Sequence, residues 1–325
     1  MHESLRALLT GIVDYAGIFP PASLPLEVAV KNYDAYKSGE HAWMLSRFVC
    51  GASILPGMEV YASSSSKGQA GSCLVAVVGR GGEDIISFLE VLQQDLGCID
   101  TFGEAMGQSA EVDVFEVKLP EAVVEGGSES VYELVERSSE VFASGAPGVR
   151  PFYEIGFRTG GPETAFKTLS ALKKFNDKWA GERYRPVGAK MRTGGADATA
   201  IPSSNQLAFF ISACSKLGLT YKVTAGVHQP LRHTDKAMGT EVHGFLNVFV
   251  AAVLAHASEL PLPKIVNILE CTKIGDFEFS GDRLSCCGQH ATFDQIVAAR
   301  RRGCVSFGSC SFDEPVEGLK KLKLL

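Results

Sequence analysis

Short apolar runs alternate with longer stretches of helical spacing along almost all of the 325 residues. Apolar runs bounded by Gly, Pro and polar clusters predict strands at Ile12–Phe19, Leu45–Gly51, Cys73–Gly79, Val112–Lys118, Val149–Gly156, Pro186–Arg192, Leu219–Ala225 and Val305–Ser309. A short amphipathic helix precedes the first, and Pro20-Pro21 closes it. Between the runs, apolar residues recur at three- and four-residue spacing and predict helices. Examples are Leu24–Lys37, the set Ile85, Phe88, Leu89, Leu92 and Leu96, the set Leu207, Phe210, Ile211, Cys214 and Leu217, and the final Asp313–Leu322.

Eight strands, each followed by a helix and with no compositional break, predict one (β/α)8 barrel in the α/β class rather than two domains. The Ser/Gly-rich stretch Ala62–Ser72 is expected to be a loop. Residues 228–302 exceed one crossover. They are expected to hold an apolar helix near Val242–His256 and a hairpin near Phe277–Cys287, as an elaboration over the barrel mouth after strand seven.

Strand alternation then sorts the side chains. In Pro186–Arg192, Val187, Ala189 and Met191 suit the helix-facing side, so Gly188, Lys190 and Arg192 point inward. In Leu219–Ala225 the same rule turns Thr220, Lys222 and Thr224 inward. Two adjacent strands thus each offer an inward lysine near the end where such barrels carry their active sites. A cationic neighbour and desolvation both lower a lysine pKa, which makes an amine nucleophilic enough for Schiff-base chemistry. Ion pairs to Asp113 or Glu154 are the structural alternative. Asp14, Asp113 and Glu154 are the inward carboxylate candidates for proton relay.

Glycine-rich turns close the last three strands: Thr193-Gly194-Gly195, Thr224-Ala225-Gly226 and Gly308-Ser309. Glycine lets a ligand approach backbone N–H groups closely, although ordinary turns also use it. Arg192 and Arg232 could supply guanidinium forks, and His228 is a polar mouth residue suited to acid–base work.

Composition narrows the field. The chain is 46% apolar and 21% charged with a net charge of −6, which disfavours electrostatically driven binding to nucleic acid or to a membrane surface. Nine cysteines form no C-x-x-C pair, as expected of reduced thiols in a cytoplasmic protein. No signal peptide is recognisable in the first residues. His228, His233 and His243 match no zinc-ligand spacing, so neither metal nor other cofactor is expected. Nothing in the sequence excludes a homo-oligomer.

The strand ends resemble those of deoxyribose-phosphate aldolase, a class I aldolase family on a TIM barrel. Lys190-Met191-Arg192-Thr193-Gly194 resembles that family's K-T-S-T-G, and Lys222-Val223-Thr224-Ala225-Gly226-Val227-His228 its K-x-[AS]-G-G-[VI]-R. Phe307-Gly308-Ser309-Cys310-Ser311 is similar to F-G-[AT]-S-S, and Glu111-Val112-Asp113-Val114 to E-V-D-V. The resemblance implies Lys190 as the Schiff-base lysine, Lys222 as its electrostatic partner and Asp113 in proton relay. It also implies Gly226, Gly308 and Ser309 near a substrate phosphate. Arg192, Ala225 and His228 depart from the family pattern, and Asp313-Glu314 places two acids where a phosphate would meet the last helix.

The leading expectation is therefore a lyase of class I aldolase type. Its substrate would be a small carbonyl compound carrying a phosphate or carboxylate. An isomerase without covalent catalysis and a non-catalytic binder of a small anion are the alternatives.

Overall fold

A computed structural model describes residues 1–58, 73–157, 160–179, 181–195 and 198–325. The expected loop at Ala62–Ser72 lies outside the described residues.

Eight parallel strands close into a barrel: β1 (Val13–Tyr15), β2 (Leu45–Gly51), β3 (Cys73–Val78), β4 (Ala110–Lys118), β5 (Arg150–Ile155), β6 (Gly188–Arg192), β7 (Tyr221–Thr224) and, last in the chain, β13 (Cys304–Ser309). β1 pairs with both β2 and β13, which completes the ring and leaves no sheet edge. Each predicted strand lands on one of these. The first is much shorter than Ile12–Phe19, because the chain turns after Tyr15 with Phe19 N–H bonded to Ala16 O.

Helices α1 (Glu3–Leu9), α2 (Leu26–Lys37), α3 (Ile85–Met106), α4 (Glu121–Glu125), α5 (Gly127–Gly145), α6 (Gly161–Trp179) and α7 (Ser204–Leu217) surround the sheet. Their ends carry the signals that stop and start helices. Ser203 and Gln206 form a reciprocal capping box at the start of α7, and Gly218 ends it in the left-handed conformation at φ 62°.

The apolar side chains divide into two cores. The large one fills the space between strands and helices and takes Val187, Ala189, Met191, Leu219, Tyr221 and Val223, as the alternation predicts. A small one lies inside the barrel: Val49, Ala76, Val114 and Phe152. Gly188 makes room for it, since a Cβ there would lie 2.4 Å from the Phe152 ring.

Residues 228–302 are only partly a mouth structure. The hairpin β8 (His233–Asp235) and β9 (Thr240–Val242) sits against the loop that leaves β6, with Arg232 bonded to Ser204 Oγ and His243 Nε2 to Pro202 O. Helix α8 (Phe245–Ala257) is apolar on all sides and buried from Phe245 to Ala255, which fits a position sandwiched in the helical ring rather than over an opening. Phe245 stacks on Phe307 of β13 at 5.1 Å between ring centroids. Beyond α9 (Leu262–Leu269), the expected hairpin is a three-stranded antiparallel sheet, β10 (Phe277–Phe279), β11 (Arg283–Cys286) and β12 (Gln289–Thr292). It packs against α1 through Ser4, whose N–H and hydroxyl both donate to Ser280 O. Helices α10 (Phe293–Arg302) and α11 (Asp313–Lys321) flank β13 in the chain.

Candidate active site

Lys190 and Lys222 stand side by side in register on β6 and β7, and both point into the barrel. They meet at one carboxylate. Glu116, on β4, accepts from Lys190 Nζ at 2.8 Å through one oxygen and from Lys222 Nζ at 2.5 Å through the other. The two ammonium groups are therefore within one carboxylate's span of each other, as the strand parity requires. Each has a second anionic partner: Glu154 Oε2 at 3.0 Å from Lys190, and Asp14 Oδ2 at 2.6 Å from Lys222. Asp14 also accepts from Ser306 Oγ at 2.6 Å and from the Arg47 backbone N–H at 3.2 Å. Beneath the lysines lies the Phe152 ring, its centroid 5.7 Å from Lys222 Nζ.

Glu116 was not among the residues singled out from sequence. Uniform alternation through Val112-Asp113-Val114 puts Asp113 and Glu116 on opposite faces and leaves the choice to the neighbouring apolar residues. The β3–β4 ladder slips by one residue there, pairing Val75 with Val112 but Ala76 with Val114. This irregularity leaves Asp113 beside Val114 as the extra residue and turns Val114 and Glu116 inward, with Phe115 and Val117 in the outer core. Asp113 instead grips Arg47 of β2 through two bonds, at 2.7 Å to Nε and 2.5 Å to Nη2. Arg47, also missed, lies 3.7 Å from Asp14. Asp113 is thus an arginine partner, and Glu116 is the β4 carboxylate that contacts both lysines.

The electrostatics correct a second expectation. Burial alone would pull the Lys190 pKa down, but Glu116 and Glu154 outweigh it and hold the pKa above the ordinary lysine value. Burial likewise pushes Glu116 up, and the two lysines overcome it, bringing the carboxyl to about 2. Asp14 follows the same pattern and ends below its ordinary value because of Lys222 and Arg47. The free site therefore holds a charged Lys190. Neighbouring cations do not set its state; neighbouring carboxylates do.

The mouth residues form a separate layer. Thr193 donates to Thr224 O and Ala225 O, tying the ends of β6 and β7 together. Gly194 and Gly226 touch backbone to backbone: a Cβ on Gly194 would lie 2.6 Å from Gly226 Cα, and Gly226 has φ 76°. Gly308 is as tightly placed, its missing Cβ 2.7 Å from Thr224 Oγ1. Strand-to-strand packing thus accounts for these glycines without a ligand. Gly195 adjoins Ala200, and Arg192 is exposed with its Nε bonded to Gly194 O. His228 lies 3.1 Å from Ser309 Oγ and 3.4 Å from Glu314 Oε2; burial lowers its pKa against the pull of Glu314. Burial raises the nearby Cys310 thiol, which does not favour a nucleophilic role there.

No protein-family model matches the chain, and no curated protein matches it. Among solved structures, a GH6 enzyme of Orpinomyces sp. Y102 aligns over 71% of this chain and 73% of its own at 9% identity and a TM-score of 0.36, a similarity too slight to inform the chemistry. Among the described residues, no helix is long and apolar enough to cross a membrane.

Proposed function

We propose that this barrel is a lyase of class I aldolase type, in which Lys190 forms an imine with a small carbonyl compound. The observation that carries the reading is the asymmetry of the two lysines. Lys222 is sealed between Asp14 and Glu116, both buried, and among the described residues it has no carboxylate partner open to solvent. Lys190 contacts Glu154, whose side chain is 18% exposed. Of the two amines, Lys190 has the outlet.

A substrate that covers Glu154 removes water from the Lys190–Glu154 pair. Low polarity favours the neutral amine and carboxylic acid over the separated charges, so the proton passes from Nζ to Glu154 as the substrate arrives. The free amine adds to the carbonyl carbon, the nitrogen losing its second proton as the oxygen gains one. Glu154 then returns its proton to the departing hydroxyl, which leaves as water. The resulting iminium carries the same single positive charge as the ammonium it replaces, so Glu116 and Lys222 keep their pairing. Carbon–carbon cleavage follows when the substrate's β-hydroxyl gives its proton to Glu154, again a carboxylate, and leaves as a carbonyl while the bond's electron pair flows into the iminium. The enamine then takes that proton on carbon, and water hydrolyses the imine to free Lys190.

The charge count speaks against a simple anion clamp. Asp14, Asp113, Glu116 and Glu154 already outnumber Lys190, Lys222 and Arg47 by four to three, so the network has no surplus positive charge, and exposed Arg192 is left as a cation for an incoming carboxylate or phosphate. The resting charge of Lys190 favours one second reading, an isomerase in which the ammonium polarises a carbonyl while Glu154 moves the proton.

Borohydride reduction with short aldehydes, ketones and 2-oxo acids, followed by mass spectrometry, separates the readings. The expected result is an adduct on Lys190 that is lost in Lys190→Met and diminished in Lys222→Met. An adduct mainly on Lys222 reverses the assignment. No adduct across the panel favours the isomerase.

A further inference from the structure

Three cysteines distant from the barrel site converge on the small antiparallel sheet. Cys271 follows α9, and Cys286 and Cys287 end β11 and enter its hairpin turn. Their sulfurs lie 3.3 Å apart for Cys271–Cys287, 3.7 Å for Cys286–Cys287 and 4.0 Å for Cys271–Cys286. Among the described residues, this is the group of His, Cys, Asp and Glu side chains that converges tightly enough to hold a metal ion.

The backbone is built around this convergence. Cys286 pairs with Gln289, so Cys287 and Gly288 form a two-residue hairpin turn, with φ 51° and 72°. Such a turn needs positive φ at both positions and ordinarily takes Asn-Gly. A cysteine in the first position accepts a strained conformation that asparagine or glycine would adopt more easily. The third sulfur is fixed from the other side. Buried Asn247 of α8 donates from Nδ2 to both Ile268 O and Cys271 O at 2.8 Å, pinning the end of α9.

We propose that Cys271, Cys286 and Cys287 bind one Zn2+ ion as three thiolates, with water in the fourth position. A tetrahedral zinc site with Zn–S of about 2.3 Å sets its sulfurs about 3.8 Å apart, which the three observed separations bracket. Cys287 is exposed and opens onto a cavity of about 350 Å3 that Asp276, Glu278, Arg283 and His290 also line, leaving room for the water. Binding releases three thiol protons to solvent and forms three Zn–S bonds, with no change of oxidation state. The bound ion clamps the end of α9 to the β11–β12 turn, where the chain has no covalent link. Three soft sulfur donors suit Zn2+ or Cu+ over Mg2+ or Ca2+.

The test titrates the full-length protein, held in a phosphine reductant, with Zn2+ against a chromophoric chelator, and with Co2+ as a spectroscopic substitute. One ion per chain is expected. The cobalt form should show a thiolate-to-metal charge-transfer band and the visible bands of a tetrahedral ion. Cys287→Ser and Cys271→Ser, at positions that are not fully buried, should each weaken binding beyond the ~10–100-fold cost of losing even an outer-shell partner. Cys98→Ser should bind as the parent does. A parent protein with nine free thiols that retains no ion overturns the proposal. So does a Cys271–Cys287 disulfide that persists in reductant, or binding of Cu+ without Zn2+.

Discussion

The two sides of the barrel's ion network use the same chemistry to opposite ends. On the β1–β13–β7 side, Lys222, Asp14 and Ser306 are all buried, and both carboxylates that hold Lys222 are buried with it. On the β5–β6 side, Lys190 has an equally strong pair of carboxylates, but one of them, Glu154, reaches towards the mouth. The closed side fixes charge in place. The open side can pass a proton to and from whatever enters. Two lysines of nearly equal burial thus differ in what their partners can do, and the partners decide which amine can react.

Removing Glu116 should break the closed side with the largest effect. Glu116→Gln leaves two buried ammonium groups sharing a neutral amide, and losing one partner of a buried pair costs about 3–5 kcal/mol. Glu154→Gln should cost much less, about 1 kcal/mol, because its side chain is partly hydrated. Denaturant titration of both variants checks the ordering. Equal losses would mean that the two sides do not differ in closure.

The two sides should also separate along the pH axis. Glu116 and Asp14 have folded pKa values below their unfolded ones, so they stabilise the fold above the unfolded values and lose that stability as pH falls through the folded ones, towards ~2 for Glu116. For Glu116 alone this amounts to about 3 kcal/mol. Lys190 has a folded pKa above its unfolded one, so its contribution is complete below pH ~10.5 and is lost as pH rises through the folded value. Stability measured against pH should therefore show an acid leg that flattens in Glu116→Gln and an alkaline leg that flattens in Lys190→Met. An acid leg of undiminished size in Glu116→Gln would remove Glu116 from the centre of the network.

A third effect, of about 1–3 kcal/mol, is expected where the mouth turns hold the two lysine strands together. Gly226→Ala adds a Cβ that would lie 2.8 Å from Gly194 Cα and from Thr193 O, at a φ unfavourable for alanine. Thermal unfolding should report the loss. A neutral outcome would mean that the turns are loosely packed and available to a ligand after all.

How much of this could be read from the sequence varies strand by strand. β6 and β7 alternate cleanly from Val187 to Arg192 and from Leu219 to Thr224, so parity placed both lysines correctly. β4 alternates as cleanly in Val112-Asp113-Val114, yet its ladder slips there. A slip is a property of two strands and leaves no mark on one of them, which is why Glu116 escaped notice. Arg47 escaped for a related reason: Leu45–Gly51 reads as an apolar strand, and the charge within it has meaning only beside Asp14 and Asp113. The three-cysteine cluster is legible only in part. Adjacent Cys286-Cys287 is visible, but the β10–β12 sheet brings Cys271 to them from fifteen residues away, outside any C-x-x-C spacing.

The smallest expected effect tests the correction at β4 most directly. If Asp113 were the proton relay implied by the resemblance to deoxyribose-phosphate aldolase, Asp113→Asn would abolish imine formation. In the structure its carboxylate serves Arg47, which keeps Asp14 at 3.7 Å as a second partner. The substitution should then cost about 1 kcal/mol, since the pair is partly solvated and asparagine can still accept one guanidinium bond. Trapped adduct on Lys190 should form at a rate within about threefold of the parent, equivalent to ~0.6 kcal/mol in the barrier. A Glu116→Gln protein stabilised enough to assay, for instance at low temperature, should lose far more, because its carboxylate touches both amines. If Asp113→Asn stops adduct formation while Glu116→Gln permits it, the roles of the two acids are reversed, and the open side of the network must extend through Arg47 to β2.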